Sequence, residues 1–287
     1  MAKRSQYKRY TRNRAGNVLY FGFLILFGAF SVLPLEYTVC TAFKPLDEIL
    51  IFPPRFFVSR PTWSNFAALP VLLEKLSVPM SRYLFNSAFI SVVSTVLHIF
   101  AASMVAFAFA KSKIKSLNVI FLIVQFSLLY NSYTLAVPQY LIFGWMGIID
   151  SFWVYILPAI PASMGAFLMK QYMDASVPDT LLEAAKIDGA SVFRSYSSIV
   201  MPIAKPAWMT LMLFSFQGMW SVIPQGTITS ERLKTLPYVM SSITAGGIAR
   251  AGAAMAATAI LMIPPIIVYF ISQSNVMETM STSGMKG

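Results

Sequence analysis

The residues best placed to do chemistry in this sequence lie in one polar stretch, EAAKIDGASVFRSYSSIVMPIAKP, from Glu183 to Pro206. Glu183 and Asp188 offer hydrogen-bond acceptors, but their five-residue spacing does not place them on one line of a helix. Catalysis requires a nucleophile beside a base, or metal ligands that face one another. The sequence holds one histidine, His98, and one cysteine, Cys40, so an enzyme or a metal site is poorly supported. Docking to a partner surface is the chemistry that this stretch favours.

Local signals predict a short helix at the start of the stretch. Thr180 and Glu183 form a T-x-x-E pattern, which predicts a capping box with the helix beginning at Leu181. Gly189 can adopt the left-handed conformation that ends a helix. A helix of about two turns is far too short to cross a bilayer. The stretch is therefore predicted to lie outside the membrane.

A second short helix is predicted to follow. Ser191 can cap it, and Pro202 and Pro206 end it and begin the next long apolar segment. The small pair Ala184–Ala185 would permit close approach by a partner. A plain linker with good caps is the alternative, but a linker rarely needs so many ordering signals. We favour a docking element.

The surrounding elements are apolar enough to be membrane spans. Of the 287 residues 57% are hydrophobic and 11% are charged, whereas a soluble domain carries roughly 25% charged residues. We predict an all-α, polytopic membrane helix bundle, folded as a single domain over 1–287. The six predicted spans are 17–40, 84–110, 117–140, 151–173, 205–224 and 251–273. The tails would be 1–16 and 274–287, around a six-span core of 17–273 that contains the loop 177–206.

Basic residues set the predicted orientation. The formal net charge of +11 would suggest nucleic acid in a soluble protein, but here it is a topology signal that can also contact anionic lipid. Lys111, Lys113 and Lys115 place the second-to-third connection in the cytoplasm. An even number of spans then places both termini and the loop 177–206 there too. Six basic residues precede the first span: Lys3, Arg4, Lys8, Arg9, Arg12 and Arg14.

Two longer loops, 42–82 and 225–250, face outward and are predicted to pack as caps over the bundle.

Four polar or aromatic residues are candidates for a transport pathway. Sugars are bound by aromatic faces together with amide and carboxyl groups, which singles out Asn131, Gln217 and Trp220. Glu36, near the outer end of the first span, is the fourth, because intramembrane acids are costly and commonly functional. Interhelical hydrogen bonding, worth about 0.6–2 kcal/mol each, is the alternative for the polar members of this set.

The polar stretch resembles the EAA motif of permease subunits of ATP-binding-cassette importers. In that family Glu-Ala-Ala, two further positions and Asp-Gly-Ala are followed by Ile-x-x-Pro-x-x-x-Pro. The spacing is intact here, with Met201 in place of the common leucine before the first proline. The matching residues are Glu183, Ala184, Ala185, Asp188, Gly189, Ala190, Ile199, Pro202 and Pro206.

The likeness extends to the carbohydrate-uptake, maltose-type branch. FNSAFISVVSTVL from Phe85 resembles the opening of the second span in that branch, and KTLP at Lys234–Pro237 resembles its last outward loop. METMSTSGMKG at the C-terminus resembles the tail of the branch, and its ETM…SGMK form is similar to relatives that handle complex or acidic oligosaccharides. The second permease of the alginate importer is one of these.

This resemblance implies a mechanism and a set of partners. The short helix would be a coupling helix that contacts an ATPase subunit through Glu183, Ala184, Ala185, Lys186, Asp188, Gly189 and Ala190. Ser283, Gly284 and Lys286 of the tail would make a further ATPase contact. The partners would be a second homologous permease, two ATP-binding cassette subunits and a periplasmic or extracellular solute-binding protein. The chain would import a sugar or oligosaccharide across the bacterial inner membrane by alternating access.

Two further interpretations bound this hypothesis. No GxxxxGK[ST] string occurs, so the chain has no P-loop, and ATP with Mg²⁺ would be used by the partner subunits alone. An ion-coupled secondary transporter is the alternative. It predicts inverted repeats and paired intramembrane ionisable residues, which the sequence does not show clearly.

Overall fold

A computed structural model describes residues 14–74, 78–112, 114–130, 132–161, 163–224 and 226–284. These residues form helices joined by turns, without a strand in the described ranges, and the all-α prediction is confirmed. The first seven helices are α1 (Arg14–Ala42), α2 (Leu46–Ile49), α3 (Ser64–Glu74), α4 (Met80–Lys111), α5 (Lys115–Ser127), α6 (Ser132–Trp145) and α7 (Trp153–Ala159). The remaining ones are α8 (Ser163–Ser176), α9 (Asp179–Ile187), α10 (Val192–Ser195), α11 (Met201–Ile203), α12 (Lys205–Trp220), α13 (Leu236–Thr244) and α14 (Ala251–Gly284).

Four helical segments in the described ranges are long and apolar enough to cross a membrane. They coincide with the first, second, fourth and sixth predicted spans: Gly16–Ala42, Met80–Lys111, Trp153–Ser176 and Ile248–Ser274. The fifth prediction corresponds to α12, which reaches that length only together with Val192–Ile203, and the two are bent by 79°. A polytopic membrane bundle is confirmed, but the third and fifth predicted spans are not single long helices, and the fourth comprises two helices, α7 and α8.

The third predicted span, 117–140, is wrong as a continuous helix because the chain leaves α5 after Ser127. The backbone N–H groups of the next three residues, Leu128 to Tyr130, donate to carbonyls three positions back, which tightens and ends the helix. The Ser127 hydroxyl donates to the Val124 carbonyl at 2.6 Å and lies 2.7 Å from the Ser163 hydroxyl of α8. Such local bonding competes with helix continuation.

Helix α4 is at the centre of the bundle, packed against α8 on one side and α12 on another. It buries small residues along its length, including Ser87 and Ser91, and its Ala102 and Ala106 share a cluster with residues of α8 and α12. Small residues let helix backbones approach closely where lipid supplies no hydrophobic driving force. Helix α14 packs against α12 and α1. In contrast, the apolar stretch of α1 is unburied within this chain, as suits a surface that faces lipid or another subunit.

The two loops predicted to face outward do pack as caps. Helices α2 and α3 lie against α14, where Leu69 and Leu73 are buried. Helix α13 lies against α14 and α4 and buries Leu236 and Val239 in the same cluster. We call residues 43–62 and 227–236 together the cap.

The segment predicted as the C-terminal tail begins within α14. Helix α14 continues through Gly284, so that Ser283 and Gly284 are its last two residues. Lys286 lies outside the described residues, as does most of the basic N-terminal segment. The contacts predicted for these residues stay predictions.

Candidate functional site

The polar loop (residues 177–206) begins with α9, which starts two residues earlier than predicted. Pro178 is its N-cap residue, with a φ of −67° and an extended ψ of 140°, and no side chain caps the helix. Thr180 lies within the first turn, so the predicted capping box is wrong. Tertiary contacts explain the shift, because the Lys111 ammonium group donates to the Val177 carbonyl at 2.6 Å and to the Asp179 carboxylate at 2.8 Å.

The end of α9 is confirmed in detail. Gly189 has φ +78°, the left-handed conformation that glycine adopts without steric cost. Its N–H donates to the Lys186 carbonyl at 3.1 Å, and the Ala190 N–H donates to the Ala185 carbonyl at 2.9 Å. This pair of bonds is the Schellman motif, which satisfies carbonyls that the helix end leaves open.

The second short helix is also confirmed at its start. The Ser191 hydroxyl accepts from the Arg194 N–H at 3.2 Å, as an N-cap does. A π-helical turn, Tyr196–Val200, follows α10, and the widened turn accommodates Pro202, which has no N–H to donate to the helix. The chain turns at Ala204, and α12 begins with Pro206 in its first turn. The prolines therefore set the 79° angle between the loop and the span.

The exposed surface of the polar loop differs from the sequence hypothesis in two ways. Ala185 is buried within the chain, so its small side chain is not open to a partner. The other proposed contact residues are exposed, apart from half-buried Ala190: Glu183, Ala184, Lys186, Asp188 and Gly189. Three apolar side chains that the sequence hypothesis did not include are also exposed: Ile187 at 86%, Val192 at 75% and Phe193 at 63%. In the sequence, the signal for them was that apolar residues stand on both sides of Gly189, next to a polar helix.

Two polar contacts hold the polar loop to α4. One is the Lys111 contact, in which the lysine side chain is only 8% exposed. The other joins the hydroxyl groups of Tyr196 and Ser103 at 2.7 Å in a buried position. The polar loop is thus fixed on the face that meets the bundle and open on the opposite face, which is the geometry of a docking surface.

Three of the four pathway candidates lie among the described residues, in different surroundings. Trp220 is buried, and its indole N–H donates to the Leu261 carbonyl at 2.9 Å, so it ties α12 to α14. Gln217 is exposed on α12, and Glu36 is half-buried on α1. Asn131 lies outside the described residues. The alternative interpretation, helix packing, describes the contact of Trp220 best.

A cavity of about 490 Å³ lies elsewhere, between α6, α7 and the end of α12. Its polar lining includes Gln139, Tyr140 and Tyr155, together with Thr227, and its described lining carries no charged side chain. Aromatic and amide groups around an uncharged cavity of this size suit a polar, uncharged ligand. The sequence hypothesis did not identify these residues because they belong to three separate helices.

Comparison with known families identifies the chain over most of its length. Residues 98–281 match the family described as "Binding-protein-dependent transport system inner membrane component". The match covers more than half of the 287 residues and includes the whole polar loop.

Curated relatives carry transport names. A putative ABC transporter permease protein, ORF2 of a Caldicellulosiruptor species, is 28% identical over 272 residues, covering 93% of this chain and 96% of the relative. The polygalacturonan/rhamnogalacturonan transport system permease protein YtcP of Bacillus subtilis is 26% identical over 210 residues, covering 73% and 71%. The galactooligosaccharide transport system permease protein GanQ, also of Bacillus subtilis, is 27% identical over 282 residues, covering 94% and 96%.

A solved structure shares the fold. It is a bacterial ABC transporter involved in the import of the acidic polysaccharide alginate. One of its chains aligns with a TM-score of 0.74 over 91% of this chain and 98% of that one, at 20% identity. The likeness supports the arrangement of helices described above.

Proposed function

This chain belongs to the binding-protein-dependent transport system inner membrane components, and we propose that the cargo it conducts is a sugar or an oligosaccharide. As a member of that family it is a multi-pass permease subunit of an ABC importer. Relatives named for polygalacturonan and for galactooligosaccharide transport support the proposed cargo class. Membership in this family favours an importer over the ion-coupled alternative.

The observation that carries the mechanism is the exposed face of the polar loop. The polar loop, with three exposed apolar residues on its two short helices, needs a partner surface, since exposed apolar groups mark interaction sites. We infer that this face docks on an ATP-binding cassette subunit in the cytoplasm. ATP and Mg²⁺ would be bound there, by partner subunits and not by this chain.

The remaining partners follow from the same proposal. A second homologous permease would cover α1 and complete the pathway, and a solute-binding protein would deliver the cargo to the outer side. Both termini would lie in the cytoplasm, as the basic residues around α1 and α5 predict. Glu183, Lys186 and Asp188 would form the polar rim of the ATPase contact, with Gly189 and Ala190 at its edge.

Charge placed on the exposed apolar face tests this function. We expect Ile187→Asp and Phe193→Asp each to lower the amount of ATPase subunit that co-purifies with the chain by roughly tenfold, because central apolar anchors dominate interfaces. The control is Ile114→Asp, which changes a similarly exposed apolar residue (61%) outside the polar loop. Uptake of labelled neutral and uronate oligosaccharides by cells that express the complex tests the cargo.

Two results would overturn the proposal. The ATPase partner is wrong if the unmodified chain, purified from its native membrane, carries no ATPase subunit. The docking face is wrong if both variants retain that subunit as well as the Ile114→Asp control does.

A further inference from the structure

Helix α4 differs from the other membrane-spanning segments in its backbone. Its 32 residues contain neither glycine nor proline, whereas the other three long segments each contain both. Sharp kinks in helices arise at proline and at glycine, so α4 is the span least able to bend. At 1.5 Å per residue it extends about 48 Å, enough to reach from one side of the membrane to the other.

The inner end of α4 is bonded to the polar loop. Lys111, its last residue, donates to the carbonyl of Val177, which follows α8, and to the Asp179 carboxylate at the start of α9. Two turns earlier, Ser103 is hydrogen-bonded to Tyr196. Bonds to charged groups are stronger than neutral ones, and these are shielded from solvent on the lysine side.

The outer end of α4 is bonded to the cap in the same way. The Asn86 amide donates to the carbonyls of Arg232 and Lys234, at 2.8 and 2.9 Å. The Leu236 N–H donates to the Ser87 hydroxyl at 2.8 Å. One turn further out, the Tyr83 hydroxyl donates to the Glu231 carboxylate at 2.9 Å. Asn86 and Ser87 are completely buried, so water does not compete for these bonds.

We propose that α4 is a rigid link that transmits movement of the polar loop to residues 231–236 of the cap, with Lys111 and Asn86 as its positioning residues. Displacement of α9 by a partner acts on Lys111 through two bonds, and a helix without a flexible point carries the displacement to Asn86. The Asn86 bonds then move the backbone of residues 232–234. Docking of the polar loop on the cytoplasmic side and the position of residues 231–236 on the opposite side are then coupled in a single conformational equilibrium. The link rests on the proposed function, because the ATPase subunit supplies the movement.

Flexibility introduced into the middle of α4 tests the link directly. Val92 and Val96 are 53% and 60% exposed, so shortening them removes little packing within the chain. We compare Val92→Gly/Val96→Gly with Val92→Ala/Val96→Ala, since both remove the two methyl groups of each valine. The glycine variant lacks only Cβ in addition, and glycine loosens the helix by about 1 kcal/mol per residue relative to alanine. The co-purified complex is incubated with Mg²⁺ and a non-hydrolysable ATP analogue, and amide hydrogen exchange is measured at 177–206 and at 231–240.

We expect nucleotide to change exchange in both segments of the unmodified and alanine proteins. In the glycine protein the change at 177–206 persists, and the change at 231–240 falls at least fivefold, the lower end of typical coupling between sites. Equal responses at 231–240 in the glycine and alanine proteins would refute the link. Absence of any nucleotide response at 177–206 in the unmodified complex would instead refute the proposed ATPase docking.

Substitution of Lys111 provides a second, independent test. Lys111→Met keeps the length of the side chain and loses both bonds, whereas Lys111→Arg keeps the charge and the donors. Lys115→Met, at an exposed position one turn along the chain, is the matched control. We expect the methionine variant to retain ATPase subunits but to lose the response at 231–240 at least fivefold, with recovery in the arginine variant. A full response in Lys111→Met shows that Lys111 only packs and does not position.

Discussion

The polar loop and the cap are both held in place at the ends of the bundle, but by different kinds of interaction. The polar loop takes its shape from neighbours in the sequence: Gly189 ends one helix, Ser191 caps the next, and Pro206 begins α12. The 227–236 segment of the cap takes its shape from residues far away in the chain. Asn86 on α4 holds residues 232–234, about 146 positions later, and Asp150 accepts from the N–H groups of Thr229 and Ser230.

This difference suits a polar loop that docks on a partner and a cap that follows the helices holding it. A loop shaped by local signals keeps its form while its outer face stays open for a partner. A cap shaped by buried side-chain-to-backbone bonds has few exposed contacts to lose, and it moves only when the elements that hold it move. Changes at the cap should therefore cost stability, and changes at the polar loop should cost docking while the bundle stays intact.

The largest effect is expected from Asn86→Leu, on the α4 residue that holds the cap. The substitution leaves two carbonyls, those of Arg232 and Lys234, without a donor in a buried site, at a cost of about 2–3 kcal/mol. Thermal unfolding in detergent should begin several degrees lower, and proteases should cleave residues 227–236 faster. Asn118→Leu removes an exposed amide from α5 and should change neither quantity. Equal behaviour of the two variants would show that the cap does not depend on α4.

The next effect is expected at Gly189 in the polar loop. Nothing lies within 4 Å of a Cβ atom added there, so Gly189→Ala costs only the left-handed conformation, about 1–2 kcal/mol. We expect amide exchange at Gly189 and Ala190 to accelerate while global unfolding is unchanged. Gly189→Asn should restore most of the protection, because asparagine tolerates this conformation. Similar exchange in the alanine and asparagine variants would contradict this account of the helix end.

The sequence predicted the polar loop far better than the cap, and the reason is the range of the interactions. Gly189 and Ser191 act on residues within three positions, so their roles can be read directly from the chain. The predicted start at Thr180 was wrong because Lys111, which is distant in sequence, fixes the true start of α9. Asn86 lies in the stretch from Phe85 that carries a family resemblance, but its two acceptors could not be identified from sequence.

The bundle shows the same division. Apolar runs predicted the long helices correctly, since length and hydropathy are local properties. The end of α5 was missed because Ser127 meets Ser163 on another helix. Trp220 was assigned to a pathway on its chemical type, whereas its partner, the Leu261 carbonyl, lies on α14. The cavity near Gln139 brings together residues from three helices, which no single stretch could indicate.

A smaller effect is expected at Ser191. Its hydroxyl caps α10, and loss of an N-cap costs about 1 kcal/mol. Ser191→Ala should increase amide exchange at 192–195 by a few-fold and leave the amides of α9 unchanged. Ser197→Ala, at an exposed position on the π-helical turn, is the control. If exchange also rises across α9, the two short helices form one cooperative unit and the caps do not act separately.

The smallest effect is expected from titration of Glu48 in the cap. Its carboxylate accepts from the Ser59 N–H at 2.7 Å and the Arg60 N–H at 3.2 Å. The Ser59 bond lowers the pKa of Glu48 below its usual 4.5, against burial, which raises it. Because the folded-state pKa is depressed, the stabilisation is fully present above about pH 4.5 and is lost as the pH falls through the folded-state pKa.

Amide exchange at residues 55–62, corrected for the intrinsic effect of pH, measures this loss. Protection of Ser59 and Arg60 in the unmodified chain should be constant from pH 7 to pH 5 and should decrease as the pH falls further. Glu48→Gln cannot titrate, so its protection should be lower at pH 7 and independent of pH. A parallel decrease in both proteins would assign the acid response to another group, such as Asp47, whose pKa is lowered by its hydrogen bond with Arg60.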